Sequence, residues 1–170
     1  MPDAYEIWTD GGCINAHVIR PGGWAWCLVK AGDYNNIIGW DQGNQRETTN
    51  NRMELEAVRQ ALLYLRDHPL EPGSRTLVYS DSKYVVTGIT KWVHGWRRNR
   101  WIMSAGTPVK NRDLWQEVDD LRLEVSVGWR WVRGHNGEQL NEMVDQMCAQ
   151  EIDRLLEVEG YQRNMLHRGG

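Results

Sequence analysis

The 170-residue sequence has few cysteines and no long apolar run, and both absences narrow the class of protein. Its three cysteines, Cys13, Cys27 and Cys148, form no CxxC pair and no zinc-finger spacing. A Cys13–Cys27 bridge is one alternative, and a reduced intracellular protein is the simpler one. No apolar run approaches the roughly 20 residues that span a bilayer, and the first residues lack the features of a signal peptide. We therefore expect a soluble, cytoplasmic protein with no membrane partner, and we expect a monomer.

Acidic residues are absent from one long segment, although the whole chain has a net charge of −3. Residues 83–112 carry seven basic side chains without an acid to neutralise them: Lys83, Lys91, Arg97, Arg98, Arg100, Lys110 and Arg112. The other 140 residues carry a net charge of −10, so the positive charge is concentrated in one part of the chain. This distribution predicts one basic face, which is typical of proteins that bind nucleic acid.

The apolar periodicity predicts one α/β domain with a mixed sheet. The predicted strands lie at about 4–11, 23–30, 36–42, 75–81 and 125–134, and the predicted helices at about 48–68, 83–89, 91–98, 111–124 and 138–157. The first three strands form hairpins, and the last two follow helices and can run parallel to the first. Thr48 or Thr49 is the predicted cap of the first helix. We assign residues 1–158 to the domain and residues 159–170 to a tail without periodicity.

Two carboxylates come directly after predicted strands. Asp10 ends the stretch YEIWTD and precedes two glycines, so it belongs either to a turn or to a metal site. Asp81 follows TLVYS and precedes a helix, where an Asp can also serve as an N-cap. The carboxyl ends of strands are where sites form in α/β sheets. If the two strands are parallel neighbours, Asp10 and Asp81 lie close together.

Two further carboxylates lie on predicted helices. Glu54 shares one helix face with Val58 and Leu65, and a Glu on an apolar face is costly unless it is paired or binds a metal. The alternative is a Glu at the rim of that face, near the positive N-terminus of the helix. Asp145 lies beside the apolar side of the last helix, and it is either a solvated side chain or a further ligand.

Four converging carboxylates would repel one another unless cations lie between them. Mg²⁺ or Mn²⁺ are the cations that prefer such oxygen ligands, and two ions roughly 3.5–4 Å apart are a recurring device for phosphodiester hydrolysis. His135, in a Gly-flanked loop, is either a surface residue or a proton carrier. The acidic residues and the basic face together predict a metal-dependent nuclease.

Five segments resemble, in this order and at near-standard spacing, those of bacterial type 1 ribonuclease H. They are TDGGC, TTNNRMELEAV, YSDSKYVVTGITKWVHGW, PVKNRDLW and WRWVRGHNG…NEMVDQMC, within residues 4–155. The resemblance implies a ribonuclease H-like α/β fold with a five-stranded mixed sheet, flanking helices and a basic protrusion. It implies an endonuclease that hydrolyses the RNA strand of RNA–DNA hybrids with two Mg²⁺ ions, or with Mn²⁺, and leaves 5′-phosphate and 3′-hydroxyl ends.

The resemblance also implies roles for the site residues. Asp10 would bridge both ions, and the glycines after it would let a backbone approach closely. Glu54 and Asp81 would complete the site of the leaving-group ion, and Asp145 would hold the ion that carries the attacking water. His135 would help proton movement and product release.

Substrate contacts follow from the same resemblance. Cys13, Asn50 and Lys83 resemble positions that contact RNA 2′-hydroxyls, Thr49 resembles part of a DNA-phosphate pocket, and Trp92, Trp96, Arg97, Arg98, Arg100 and Trp101 resemble the protrusion that holds the DNA strand. Lys83 departs from the family, which usually has Gln at this position. A Lys can donate a hydrogen bond but cannot accept one, whereas a Gln can do both. The loop at residues 14–23 is longer than usual.

Two other functions remain open on the sequence alone. Another nuclease on the same fold, such as a proofreading exonuclease or a transposase-like enzyme, would use similar carboxylates. Exonucleases usually begin with Asp-x-Glu, whereas Gly11 and Gly12 follow Asp10 here. A hybrid-binding module without catalysis would not need four carboxylates, so a metal titration distinguishes it from an enzyme.

Overall fold

A five-stranded mixed sheet forms the centre of the computed structural model, which describes residues 3–134 and 137–161. The strands are β1 (Ala4–Cys13), β2 (Gly22–Lys30), β3 (Ile37–Gln45), β4 (Arg75–Ser80) and β5 (Gly128–Trp131). Their order in the sheet is β3-β2-β1-β4-β5. The β3–β2 and β2–β1 pairs are antiparallel, and the β1–β4 and β4–β5 pairs are parallel. The predicted mixed sheet is confirmed, as is the parallel orientation of β4 and β5 with β1.

Helices follow each predicted helical pattern. They are α1 (Asn50–Asp67), α2 (Lys83–Thr87), α3 (Val93–Arg98), α4 (Arg112–Glu124) and α5 (Gln139–Val158), and a π-helical turn at Gly88–Trp92 joins α2 to α3. Thr49 Oγ1 accepts the backbone N–H of Arg52 at 3.2 Å, so Thr49 is the cap of α1. None of the helices in the described ranges is both long and apolar enough to cross a membrane.

Each face of the sheet packs against a core. Because neighbouring residues of a strand point to opposite sides, β1 and β2 contribute to both cores. Ile7 and Leu28 belong to the larger core, which includes α1 and α4. Trp8 and Cys27 belong to a second core, which includes α5. The three cysteines are free, so the alternative of a Cys13–Cys27 bridge is wrong.

The parallel pairing of β1 with β4 determines where the acidic residues meet. Thr9 lies opposite Ser80 in this register, so Asp10 and Asp81 are the next residues along the two chains. Both carboxylates therefore lie at the same edge of the sheet, as the sequence predicts. The start of α1 crosses this edge and brings Glu54 to it.

Candidate metal centre

Three carboxylates from three different elements form a cluster. One carboxylate oxygen from each of Asp10, Glu54 and Asp81 lies within 4.8 Å of the other two. Asp10 and Glu54 are buried, with 6% and 7% of their surfaces exposed, and Asp81 is half-buried. Glu54 therefore points into the cluster and is not a solvated residue at the rim of its helix face.

Asp145 on α5 lies at the outer side of the same cluster. It lines a cavity of about 280 Å³ together with Asp10, Glu54 and Asp81. Its side chain is exposed, in contrast to the two buried carboxylates. The structure thus brings all four predicted carboxylates to one cavity, with Asp145 as the member that faces solvent.

The close approach of α1 to β1 depends on Gly11. The backbone N–H of Gly11 donates to Glu54 Oε1 at 2.5 Å, which fixes this carboxylate beside Asp10. A Cβ atom on Gly11 would overlap the backbone of Met53 and Glu54. The corresponding position on Gly12 has no atom within 4 Å. The predicted close backbone approach is therefore confirmed for Gly11 and does not apply to Gly12.

Burial raises the pKa values of the two inner carboxyl groups. It is the main reason why the pKa of Asp10 rises to about 7; the charges of Asp81 and Asp145 act in the same direction, and the hydrogen bond with Glu54 opposes them. Burial also raises the pKa of Glu54, and the charge of Asp10 is the next cause. Because hard divalent cations prefer carboxylate oxygens, this buried, closely spaced donor set fits Mg²⁺ or Mn²⁺.

We expect Asp10→Asn to stabilise the metal-free protein, and to do so more strongly as the pH rises. A carboxyl group whose pKa is raised on folding opposes folding above its unfolded pKa, about 3.9. For Asp10 this cost grows until the pH passes the folded pKa of about 7, and it is constant above that value. The stabilisation should reach roughly 2–4 kcal/mol at pH 8, since one pKa unit corresponds to about 1.4 kcal/mol.

Urea unfolding in EDTA between pH 4 and pH 8 measures this difference in stability. Added Mg²⁺ should stabilise the wild-type chain more than the variant, because the variant lacks one of the charges that bind the ion. A difference in stability between the two proteins that is independent of pH would show that the pKa of Asp10 is not raised on folding.

The predicted RNA-contacting residues are close in sequence to the carboxylates that line the acidic cavity. The backbone N–H of Cys13, at the end of β1, donates to Asn50 Oδ1 at 2.7 Å. Asn50 is the first residue of α1, directly after the capping Thr49. Lys83 begins α2, and its Nζ lies 4.8 Å from the centroid of the Trp131 ring. Whether these residues contact substrate stays a prediction.

The tryptophans of the basic segment differ in burial. Trp92 is 40% exposed, whereas Trp101 is 9% exposed. The half-buried ring of Trp96 contacts both, with centroid distances of 5.7 Å to Trp92 and 6.1 Å to Trp101, and its centroid lies 5.3 Å from that of Trp115 on α4. Trp101 thus belongs to the core, Trp96 packs against the core with part of its surface exposed, and Trp92 leaves a large part of its ring on the surface.

Arg97 has an acidic partner that the local sequence does not reveal. Its guanidinium donates to both carboxylate oxygens of Asp119 on α4, with the Nε–Oδ2 distance at 2.9 Å. Asp119 is 2% exposed, and Arg122 donates to the same carboxylate at 2.7 Å. The expectation that no acid neutralises the basic segment is therefore wrong for Arg97, because the fold brings in an acid from another helix. Arg98 and Arg100 are exposed.

Trp131 is not one of the site residues that the sequence predicts, yet it contacts the turn that carries Asp81. Its indole Nε1 donates to the backbone oxygen of Asp81 at 3.0 Å. Trp131 is the last tryptophan of a short strand, and that strand lies beside the one that Asp81 follows. This position is the signal in the sequence that could have identified Trp131. His135 lies outside the described residues, so its predicted role stays a prediction.

A family model for RNase H matches residues 2–153 of the chain. The ribonuclease H of Polaromonas naphthalenivorans is 44% identical over 158 residues, which are 92% of this chain and 91% of that protein.

Solved structures show the same fold. LC9-RNase H1, a type 1 RNase H with the type 2 active-site motif, matches with a TM-score of 0.74 at 29% identity, over 88% of this chain and 72% of that one. LC11-RNase H1 in complex with an RNA/DNA hybrid matches with a TM-score of 0.66 over 89% and 99% of the two chains. At 20% identity, this second likeness is one of fold alone.

Proposed function

Because the chain belongs to the ribonuclease H family of enzymes, we propose that it cleaves the RNA strand of RNA–DNA hybrids internally, with two divalent cations. The observation that carries this proposal is the cluster of Asp10, Glu54 and Asp81, with Asp145 at the same cavity. Two Mg²⁺ ions, or Mn²⁺ ions in their place, would activate the attacking water and stabilise the leaving oxygen. The products would carry 5′-phosphate and 3′-hydroxyl ends.

The positions of the carboxylates support a division of roles. Asp10 interacts with each of the other three carboxylates, so it would bind both ions. Glu54, which accepts the Gly11 amide N–H, and Asp81 would complete the site of the ion that stabilises the leaving oxygen. Asp145 would hold the ion that activates the attacking water, and its exposure supports this role because water reaches that side of the cavity.

The remaining predicted residues would hold the hybrid. We propose that Cys13, Asn50 and Lys83 face RNA 2′-hydroxyls, that Thr49 faces a DNA phosphate, and that Trp92, Trp96, Arg98 and Arg100 face the DNA strand. Arg97 would support this surface through Asp119, because its guanidinium is already paired.

A cleavage assay on three substrates tests the proposed function. End-labelled RNA–DNA hybrid, duplex DNA and duplex RNA are incubated with the chain in Mg²⁺ and, separately, in EDTA. We expect internal cuts in the RNA of the hybrid alone, and only in Mg²⁺. Binding of hybrid without cleavage would indicate a binding module, and cleavage of duplex DNA would indicate another nuclease of this fold.

We expect the exposed arginines to act on affinity and Arg97 to act on stability. The double variant Arg98→Ala, Arg100→Asn should raise KM for the hybrid and leave kcat nearly unchanged. Asn is chosen because Arg100 has a φ of 56°, a left-handed conformation that Asn tolerates. For each arginine that pairs with a phosphate, its removal should reduce the slope of log affinity against log salt by about 0.7–0.9.

Arg97→Ala is the matched comparison for this double variant. It should leave the salt slope unchanged and lower the free energy of unfolding by roughly 1–3 kcal/mol, because the variant removes one of the charged donors to the buried carboxylate of Asp119. Initial rates at several salt concentrations and urea unfolding measure the two effects. A salt slope that falls only in Arg97→Ala would contradict this assignment.

His135→Ala should lower kcat by roughly 10- to 1,000-fold if the imidazole carries a proton in the reaction. KM should change little, since a proton carrier acts after the substrate is bound. His68→Ala is a suitable control, because His68 is exposed at the end of α1. Steady-state kinetics on the hybrid give both constants. A raised KM with unchanged kcat would instead make His135 a substrate contact.

A further inference from the structure

The side chain of Trp131 extends the hydrogen bonding between β5 and β4 by one residue beyond the strand ladder. Trp131 lies opposite Ser80 in the parallel ladder, and the backbone N–H of Val132 donates to the Ser80 oxygen at 2.9 Å. The next carbonyl, that of Asp81, accepts the indole N–H of Trp131 at 3.0 Å. A side chain thus supplies the donor at the point where the strand ladder ends, and it supports the backbone of a carboxylate of the cluster.

The ring of Trp131 also contacts a cation. The ammonium nitrogen of Lys83 lies 4.8 Å from the ring centroid, within the range of about 6 Å for cation–π attraction. Trp131 is 43% exposed, so burial in the core does not account for its position. Among the described residues, its specific contacts are with the turn at Asp81 and with the Lys83 side chain.

A lysine so close to the acidic cavity raises an electrostatic problem. Lys83 comes two residues after Asp81, and the carboxylates of Asp10, Glu54 and Asp145 line the same cavity as Asp81. Such a cluster attracts any cation within reach, because the Coulomb energy is large where solvent is partly excluded. An ammonium group inside the cavity would compete with a divalent cation for the same oxygens.

We infer that Trp131 is a positioning residue that holds the Lys83 ammonium at the rim of the acidic cavity, facing the hybrid. Without the ring, the ammonium would act as an internal counter-ion of the carboxylates. The inference rests on the proposed function, because the hybrid supplies the oxygens to which Lys83 would donate. The cation–π contact orients Lys83, and the indole N–H steadies the backbone of Asp81.

A Mg²⁺ titration of the chain without substrate tests this inference. The amide NMR signals of Gly11 and Gly12 report binding of the ion at the cavity that these glycines line. Trp131→Leu should raise the Mg²⁺ Kd by about two- to fivefold, the factor that corresponds to an exposed cation–π contact. Trp131→Phe keeps an aromatic face, and its Kd should stay within about twofold of the wild-type value. Thermal unfolding of each variant confirms that it folds.

Trp40→Leu is the matched control, because Trp40 is 59% exposed and lies on β3 at the opposite edge of the sheet. It should leave the Mg²⁺ Kd unchanged. Adding Lys83→Gln to Trp131→Leu should return the Kd to that of Lys83→Gln alone, because the competing ammonium is gone. The KM for hybrid should rise in Trp131→Leu.

Two results would overturn the inference. One is an unchanged Mg²⁺ Kd in Trp131→Leu, and the other is a shift in Kd that persists after Lys83→Gln is added. Failure of the wild-type chain to cleave hybrid, with the Mg²⁺ Kd responding as described, would contradict the proposed function and the role of Lys83 toward the hybrid. It would leave standing the part of the inference that concerns the metal site, namely that Trp131 keeps the Lys83 ammonium out of the acidic cavity. The titration needs no cleavage, so the two failures are distinguishable.

Discussion

Asp10→Asn is expected to reduce cleavage of the hybrid by roughly a thousandfold or more, because bound metal ions supply several kcal/mol of charge stabilisation in the transition state. Asp10 is buried, and the neighbouring Glu54, Asp81 and Asp145 all affect its pKa. An Asn keeps the shape of the side chain and removes the charge that holds the ions. Single-turnover cleavage at saturating Mg²⁺ measures the fall in the rate of the chemical step.

Glu54→Gln and Asp81→Asn should have similarly large effects, since each removes one charge from the same cluster. Asp41→Asn is a matched control, because Asp41 is exposed on β3 and accepts a hydrogen bond from the next residue's amide. It should cleave at the wild-type rate. Near-wild-type turnover in any of the three cluster variants would refute the two-ion assignment.

Gly11→Ala is expected to impair both folding and catalysis. The new methyl group would overlap the backbone of α1 at Met53 and Glu54, and a backbone cannot rotate away as a flexible side chain can. The helix must therefore shift, which would cost roughly 1–3 kcal/mol or more in stability. The shift also breaks the hydrogen bond from the Gly11 amide to Glu54. A displacement of about 1 Å in a catalytic group can cost about a hundredfold in rate.

Gly12→Ala provides a control at the neighbouring residue. A Cβ atom there has no neighbour within 4 Å, so the free energy of unfolding should stay within about 0.5 kcal/mol of the wild-type value. Urea unfolding and Mg²⁺-dependent cleavage of both variants, measured in parallel, give the comparison. Equal stability of the two variants would show that α1 does not approach β1 as closely as described.

The acidic cluster was predictable because each of its carboxylates occupies a position that local sequence pattern fixes. Glu54 occupied an apolar helix face, and Asp10 and Asp81 ended strands that periodicity and connection length made parallel. Local pattern was enough here, since strand ends and helix faces are fixed within a few residues. The same holds for the cap at Thr49, although sequence alone did not distinguish it from Thr48.

Contacts between distant elements were not predictable in this way. Arg97 seemed unpaired because its partner, Asp119, lies 22 residues away on another helix. Gly11 and Gly12 are identical in sequence terms, and only the path of α1 distinguishes them. Trp131 contacts Asp81 across 50 residues, through the register of β5 with β4. Such pairs depend on tertiary packing, which local periodicity does not encode.

The order in which strands join the sheet bears on how long the native protein survives. The β1–β2 pair closes a short loop, whereas the β1–β4 pair joins Thr9 to Ser80 and so needs a much longer one. Asp81 meets Asp10 only when β4 has docked, so we expect their repulsion to arise late in folding, after the transition state. The carboxylates should therefore hasten unfolding while leaving the folding rate nearly unchanged. Divalent cations should lengthen the lifetime of the native state, and unfolding rates in EDTA and in Mg²⁺ show by how much.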